Sequence, residues 1–375
     1  MADAPLEYVL VELAGGKRPD AAFGEWDALD LRAAEHRVQP LLHRLHGQDE
    51  AIPVQVRDNW AQAYRASAVE ALLQRRELLG IAGLFAQHDV PFLALKGSWL
   101  AWHAWPEPAL RPLRDLDLFL PGTSALDAYA LLLAEGWRHD ADDGPGPLGA
   151  KGWLARFKAL PPPTSPGGVV VDLHARLWDD DGRTPPQPAD LFVHAACDPD
   201  HPALRYPGPV DQLMHLAVHA GFHRFDGGPL MLVDFAHLVS RHRFDWQTVW
   251  ARAGTEGWLA HLALCLAGAR RWAGIDAPWP DLPVEIPGDL VEHLPLLLAK
   301  PLEAREDDIA SAKAARSSLT LGAKIRRALA RRERHESLGD YLGWAGRQAA
   351  GVLRSTFGAS DRMAAIAAID DFLES

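Results

Sequence analysis

The sequence predicts an α+β fold: a small mixed β-sheet in the middle third of the chain, framed by N- and C-terminal helices. Two patterns lead there. Apolar residues recur at three- and four-residue spacing in both outer thirds, whereas strand-length apolar runs fall in the middle. Those runs are segregated from the long helical stretches instead of alternating with them, as a doubly wound sheet would require. The apolar content is sufficient for a large core, since 48% of the 375 residues are hydrophobic and 14 are Trp.

From about Pro5 to His88 the pattern is helical, as in Ala68, Leu72, Leu73, Leu79, Leu84 and Phe85. Asp89 ends it, and Val90, Phe92, Leu93, Ala94 and Leu95 form a run of strand length that closes at Lys96 and Gly97. Trp99 to Trp105 reads as a helix stopped by Pro106 and Pro108. Leu116 to Leu120, closed by Pro121 and Gly122, reads as a second strand, and Leu126 to Glu135 as a helix. Asp140 to Gly152 is rich in Gly, Pro and Asp and reads as a loop. Val169 to Leu173 is the third strand, and beyond Pro199 the chain reads helical with a break near Ala277 to Pro287. The divisions that follow are a helical region at 1–89, a catalytic core at 90–198 and a helical region at 199–375.

Composition narrows the function. Lys and Arg number 38 against 50 Asp and Glu, a net charge of −12 that speaks against broad nucleic-acid binding. Between Lys313 and Arg334, however, basic residues outnumber the single acid, Glu333. That 313–334 segment reads as a solvated helix face or connector, with a local contact to RNA, anionic lipid or an acidic partner as the sharper alternative. Cys197 and Cys265 are too few for a disulfide framework or a four-Cys zinc site. Met1 to Leu13 lacks a basic leader region, and Leu259 to Ala269 is broken by His261 and followed by Arg270 and Arg271. The expectation is a cytoplasmic protein without a membrane span.

The chemistry concentrates between Leu95 and Leu120. Asp115 and Asp117 stand two apart at the start of a strand, so both carboxylates take one face while Leu116 and Leu118 face the core. Two adjacent carboxylates need a proton, flanking arginines or a divalent cation to coexist. Asp172 lies on the third strand, and if that strand pairs beside the second, three carboxylates converge and a two-metal clamp for in-line displacement becomes possible. Gly97 and Ser98 sit where a strand turns into a helix, a place suited to phosphate. Lys96, Arg111 and Arg114 bring cations to the same region.

Elsewhere the signals are weaker. Gly144, Gly146 and Gly149 spell a GxGxxG without a preceding strand, interrupted by prolines, and read as a loop over the site. His215, His219 and His223 share one helix face but lack the further ligands of a structural zinc site, so His219 reads as a packed or hydrogen-bonding residue facing the site, with Asp234 as its partner. Trp99, Trp102 and Trp105 read as a buried stripe.

The segments Leu95-Lys96-Gly97-Ser98, Leu110-Arg111-Pro112, Asp115-Leu116-Asp117-Leu118 and Val171-Asp172-Leu173-His174, with the later His219 and Val233-Asp234-Phe235, resemble the bacterial uncharacterised nucleotidyltransferase family of the DNA polymerase β-like nucleotidyltransferase superfamily. The resemblance spans roughly residues 60 to 240. The gap between Ser98 and Asp115 is longer than in most of the superfamily and compatible with this branch. The resemblance implies a small mixed sheet with helices, Mg²⁺ (or Mn²⁺) at Asp115 and Asp117, and transfer of a nucleoside monophosphate from an NTP, ATP among the candidates, to a hydroxyl-bearing acceptor. Asp172 then completes the metal site or deprotonates that acceptor, Gly97 and Ser98 bind the triphosphate, Lys96, Arg111 and Arg114 neutralise it, and His174, His219 and Asp234 are further site candidates. The alternative is a non-catalytic nucleotide-binding or scaffold protein that engages a partner through 313–334.

Overall fold

In a computed structural model of the chain, the described residues are 5–18, 23–139, 144–179, 184–188, 190–304 and 361–374. The basic 313–334 segment lies outside them. Four helices lead in: α1 (Leu6–Ala14), α2 (Trp26–Glu35), α3 (Gln39–His46) and the 34-residue α4 (Val54–Gln87). At 1.5 Å per residue α4 is about 50 Å long, the backbone of the lead-in. Its buried face runs through Trp60, Ala71, Leu78, Ile81 and Phe85, whereas Leu72 stays 64% exposed, so part of the apolar periodicity here is surface. The helix stops where Asp89 adopts a positive φ of 52°.

The sheet then forms. Strand β1 (Leu93–Ala94) pairs antiparallel with β2 (Leu116–Phe119), which pairs parallel with β3 (Val171–His174), giving a mixed sheet in the order β1-β2-β3. The alternation read from the sequence is present: Leu116, Leu118, Val171 and Leu173 are fully buried on one face, and Asp117, Asp172 and His174 take the other. Between β1 and β2 comes a single helical turn, α5 (Gly97–Trp99), continued by a π-helical turn over Leu100–Ala104. The expected Trp99–Trp105 helix is thus a wider turn that begins two residues earlier, and it closes before Pro106 as the sequence required. Trp99 and Trp105 are buried, while Trp102 stacks half-buried under the Arg75 guanidinium at 5.2 Å.

Helix α6 (Ser124–Ala134) packs on β3. The glycine- and proline-rich stretch is not all loop: a 3₁₀ turn over Gly146–Leu148 leads into α7 (Gly149–Leu154), with Gly149 at φ 62° making the corner. A second small sheet pairs β4 (Ala196–Cys197) with β5 (Arg205–Tyr206), and β5 interrupts the stretch beyond Pro199 expected to be helical. Two-residue strands leave no periodicity to read. Their turn is held by Asp198, whose buried carboxylate accepts from the backbone N–H of Asp200 and His201, from Arg75 and from the Tyr206 hydroxyl.

The C-terminal helices are α8 (Pro209–Phe222), α9 (Leu230–Arg241), α10 (Trp246–Glu256), α11 (Leu259–Trp272), α12 (Gly288–Glu292) and α13 (Leu294–Leu298), with a further described helix at Asp361–Glu374. Helices α8 and α9 both pack on α11, and α9 also packs on the π turn. One hydrophobic cluster runs from α1 through the sheet to the last described helix. Among the described residues no helix is long and apolar enough to cross a membrane.

Candidate active site

The parallel register sets Asp117 directly opposite Asp172 and Phe119 opposite His174. Because β3 carries Asp172 and His174 two apart, both point to the face that Asp117 occupies. His174 Nε2 lies 2.9 Å from Asp117 Oδ1 and 3.2 Å from Asp172 Oδ2. Lys96 reaches the same Asp117 oxygen from the end of β1, its ammonium donating at 2.8 Å. An oxygen of Asp117, an oxygen of Asp172 and a ring nitrogen of His174 lie within 4.8 Å of one another, so the three could hold one ion.

The electrostatics separate the two aspartates of the Asp-Leu-Asp motif. Burial works to raise the Asp117 carboxyl, yet the Lys96 ammonium and the His174 ring outweigh it and hold the group well below the ordinary carboxylate range. Asp115 has no ion pair within 4.0 Å among the described residues, and burial together with the Asp117 charge pushes it up to about 6. His174 is shifted the other way: burial disfavours its cation, but hydrogen bonds to Asp117 and Asp172 raise its proton affinity overall. The two carboxylates of this set suit a hard divalent cation, which prefers carboxylate oxygens and would add positive charge to that of Lys96 and His174 beside Asp115.

The sequence-predicted phosphate turn stands beside the carboxylates. Leu95 N–H donates to the Asp117 carbonyl at 2.9 Å, and the chain turns at Lys96 into α5. Ser98 Oγ is buried without a hydrogen-bond partner among the described residues. Gly97 sits in a crowded corner, since a Cβ there would lie 2.3 Å from Arg111 Nη1 and 2.3 Å from Leu113 Cδ2 and both side chains would have to shift. Arg111 itself is committed elsewhere. Its Nε and Nη2 donate to the two oxygens of Asp234 at 2.8 and 2.7 Å, and Trp105 Nε1 donates to Asp234 at 2.7 Å. Asp234 therefore partners Arg111 and Trp105, not His219 as the sequence had suggested. Arg114 is exposed.

Two groups enter that the motif reading did not single out. Lys158 is half-buried, and its proton affinity is lowered by burial and by Lys96, with Asp172 and Asp117 acting in the opposite sense. The backbone places it there, because the Lys158 carbonyl accepts from Ala175 and Arg176 N–H and Ala159 bridges to His174. Nothing in the sequence marks this lysine, since Pro161-Pro162-Pro163 masks the extended pairing just before it. His215 lies on α8, on the face that its spacing shares with His219 and His223. Burial and then Lys96 lower both His215 and His219 well below the usual imidazole value, which makes them neutral neighbours of the charged cluster. The rings of His215, His219 and His223 follow one another at 6.1 and 4.4 Å, the shared face that their spacing predicts.

The site thus combines converging carboxylates on paired strands, a glycine-serine turn and a lysine at the same oxygen. No curated protein and no solved structure matches the chain. A family profile described as uncharacterised nucleotidyltransferase matches residues 24–274, more than half of the chain and all of the residues just described. The chain belongs to this uncharacterised nucleotidyltransferase family.

Proposed function

We propose that the protein transfers a nucleoside monophosphate from an NTP to a hydroxyl-bearing acceptor, with Mg²⁺ (or Mn²⁺) held by Asp115, Asp117 and Asp172. The observation that carries this reading is the β2–β3 register, which sets Asp172 opposite Asp117, whose carboxylate is also held by Lys96 at the start of the Gly97-Ser98 turn. When bound, the cation supplies charge neutralisation on the phosphate oxygens during in-line displacement.

Each residue then has a task that its surroundings support. Ser98 offers a buried hydroxyl as donor to a phosphate oxygen. Lys96 neutralises the triphosphate, with Lys158 as a second cation nearby. Arg111, clamped to Asp234, buttresses the turn at Gly97. Asp172 completes the cation site or takes the proton of the acceptor hydroxyl. In the transfer, the acceptor oxygen bonds to the α-phosphorus, the bond to the bridging oxygen breaks, and pyrophosphate leaves with the electron pair.

The test is incubation of the protein with each α-labelled NTP, Mg²⁺ and a cell lysate, followed by separation into protein, RNA and small-molecule fractions. Label should enter one fraction, and D115N and D117N should each reduce it on the order of 100-fold or more. Incorporation unchanged in both variants would sink the proposal.

A further inference from the structure

We infer that Lys96 is a resident counter-cation of this site: its ammonium and the divalent ion compete for the Asp117 carboxylate, and the ion binds more tightly once Lys96 has left it. The inference rests on reading the carboxylates as a divalent-cation site.

Two independent observations carry it. The first is the contact itself. Lys96 Nζ sits 2.8 Å from Asp117 Oδ1, which also receives His174 Nε2 at 2.9 Å, and the same Asp117 carboxylate supplies one of the three ligand atoms, with Asp172 and His174, that lie within 4.8 Å of one another and could share one ion. A divalent ion bonded to that carboxylate at about 2.1 Å would stand in like-charge proximity to the ammonium hydrogen-bonded to it. The carboxylate has lone pairs for both, but the repulsion makes each cation bind more weakly while the other is in place.

The second observation is the backbone. Lys96 has φ 46° and ψ −119°, a conformation that side-chain-bearing residues avoid. The chain is tied on both sides of it. Leu95 N–H donates to the Asp117 carbonyl at 2.9 Å, Ser98 N–H donates to the Leu95 carbonyl at 3.1 Å, and Trp99 and Leu100 N–H donate to the Lys96 carbonyl at 3.1 and 3.0 Å. Glycine is the residue suited to such a corner, and Gly97 stands next to it. A lysine held there instead, aimed at the cluster, is strain kept where the side chain acts. In the ion-free protein its charge holds Asp117 ionised; when an ion arrives, the released ammonium is free to meet the incoming triphosphate.

Mn²⁺ binding to the full-length, metal-free chain, followed by electron paramagnetic resonance without nucleotide, tests the competition. K96M should bind Mn²⁺ about tenfold more tightly than wild type, the ratio that corresponds to about 1.4 kcal/mol. Lys158 provides the control for charge without contact, since it feels Asp117 and Asp172 but forms no ion pair within 4.0 Å among the described residues. K158M should change the affinity by no more than about twofold. Equal or weaker Mn²⁺ binding in K96M overturns the inference, as does an equal gain in K158M, which would mean long-range charge alone. Wild-type Mn²⁺ binding that survives D117N would instead remove the metal-site reading, and the competition with it. K96G removes the ammonium and relaxes the corner, so it should fold even if K96M does not, and it must show the same gain in affinity.

Discussion

Asp117 and Asp172 face each other across the parallel pairing of β2 with β3, and His174 Nε2 lies within hydrogen-bond reach of Asp117 and at 3.2 Å from Asp172. That arrangement gives the two aspartates of one motif opposite effects on folding. Asp117 is held ionised by Lys96 and His174, so its loss leaves a buried cation without its anion. In metal-free protein at pH 7.5, D117N should cost about 3 kcal/mol.

Asp115 should show the reverse. Its folded-state carboxyl is pushed up to about 6 from 3.8, chiefly by burial and then by Asp117. A raised carboxyl binds its proton more tightly when folded, so the ionised form opposes folding increasingly from pH ~4 to ~6 and fully above that. D115N should therefore stabilise the metal-free protein by about 1–2 kcal/mol at pH 7.5, allowing for partial exposure, with no gain below pH 4. Denaturant unfolding in the presence of a chelator measures both variants, and a shift of the same sign in each would refute this electrostatic account.

Gly97→Ala should act through a residue that touches no carboxylate of the site. The added methyl would meet Arg111 Nη1 and Leu113 Cδ2 at 2.3 Å. Arg111 has little freedom to yield, because its fork is bonded to both oxygens of Asp234, which Trp105 Nε1 also holds. Either the guanidinium leaves Asp234 or the turn moves away from β2. Overpacking of this kind costs about 1–3 kcal/mol, and the accompanying loss of activity should exceed that of a Ser98→Ala change that leaves the turn in place. A G97A protein with wild-type melting temperature and activity would show that the turn tolerates a side chain.

Much of this site was legible in the sequence because its signals are short-range. Asp115, Asp117 and Asp172 declare themselves by period-two spacing among buried leucines and valines, and only the register was left for the structure to supply. Gly97 and Ser98 are likewise marked by the strand that ends before them. Contacts spanning long stretches of chain were not legible. Arg111 and Asp234 are separated by 123 residues, and no local pattern tells a phosphate-binding arginine from one clamped by a distant helix. Lys158 reaches the cluster through an extended pairing hidden among prolines. The π turn at Leu100–Ala104 has the same apolar spacing as an ordinary helix, so the sequence could place its end at Pro106 but not its width.

His237 carries the acid sensitivity of the framework behind the site. It lies one turn after Asp234 on α9, its ring 4.6 Å from that of Trp105. Burial lowers it to about 4 from 6.5, with the neighbouring Asp234 working against the shift and Arg241 with it. A lowered imidazole is neutral when folded and gains its proton on unfolding, so the stability it supports is complete above pH 6.5 and is lost as pH falls toward 4. Between pH 7.5 and 5 this one group should account for about 2 kcal/mol of lost stability. His237→Phe keeps a ring against Trp105 and removes the titration. Urea unfolding at the two pH values should show a smaller acid loss in H237F than in wild type, by about that amount. The residual loss is shared by the other histidines that burial holds neutral, among them His215 and His219 on α8 and His46, His103 and His242. Equal acid loss in H237F and wild type would remove His237 from this role and leave it to the other buried histidines.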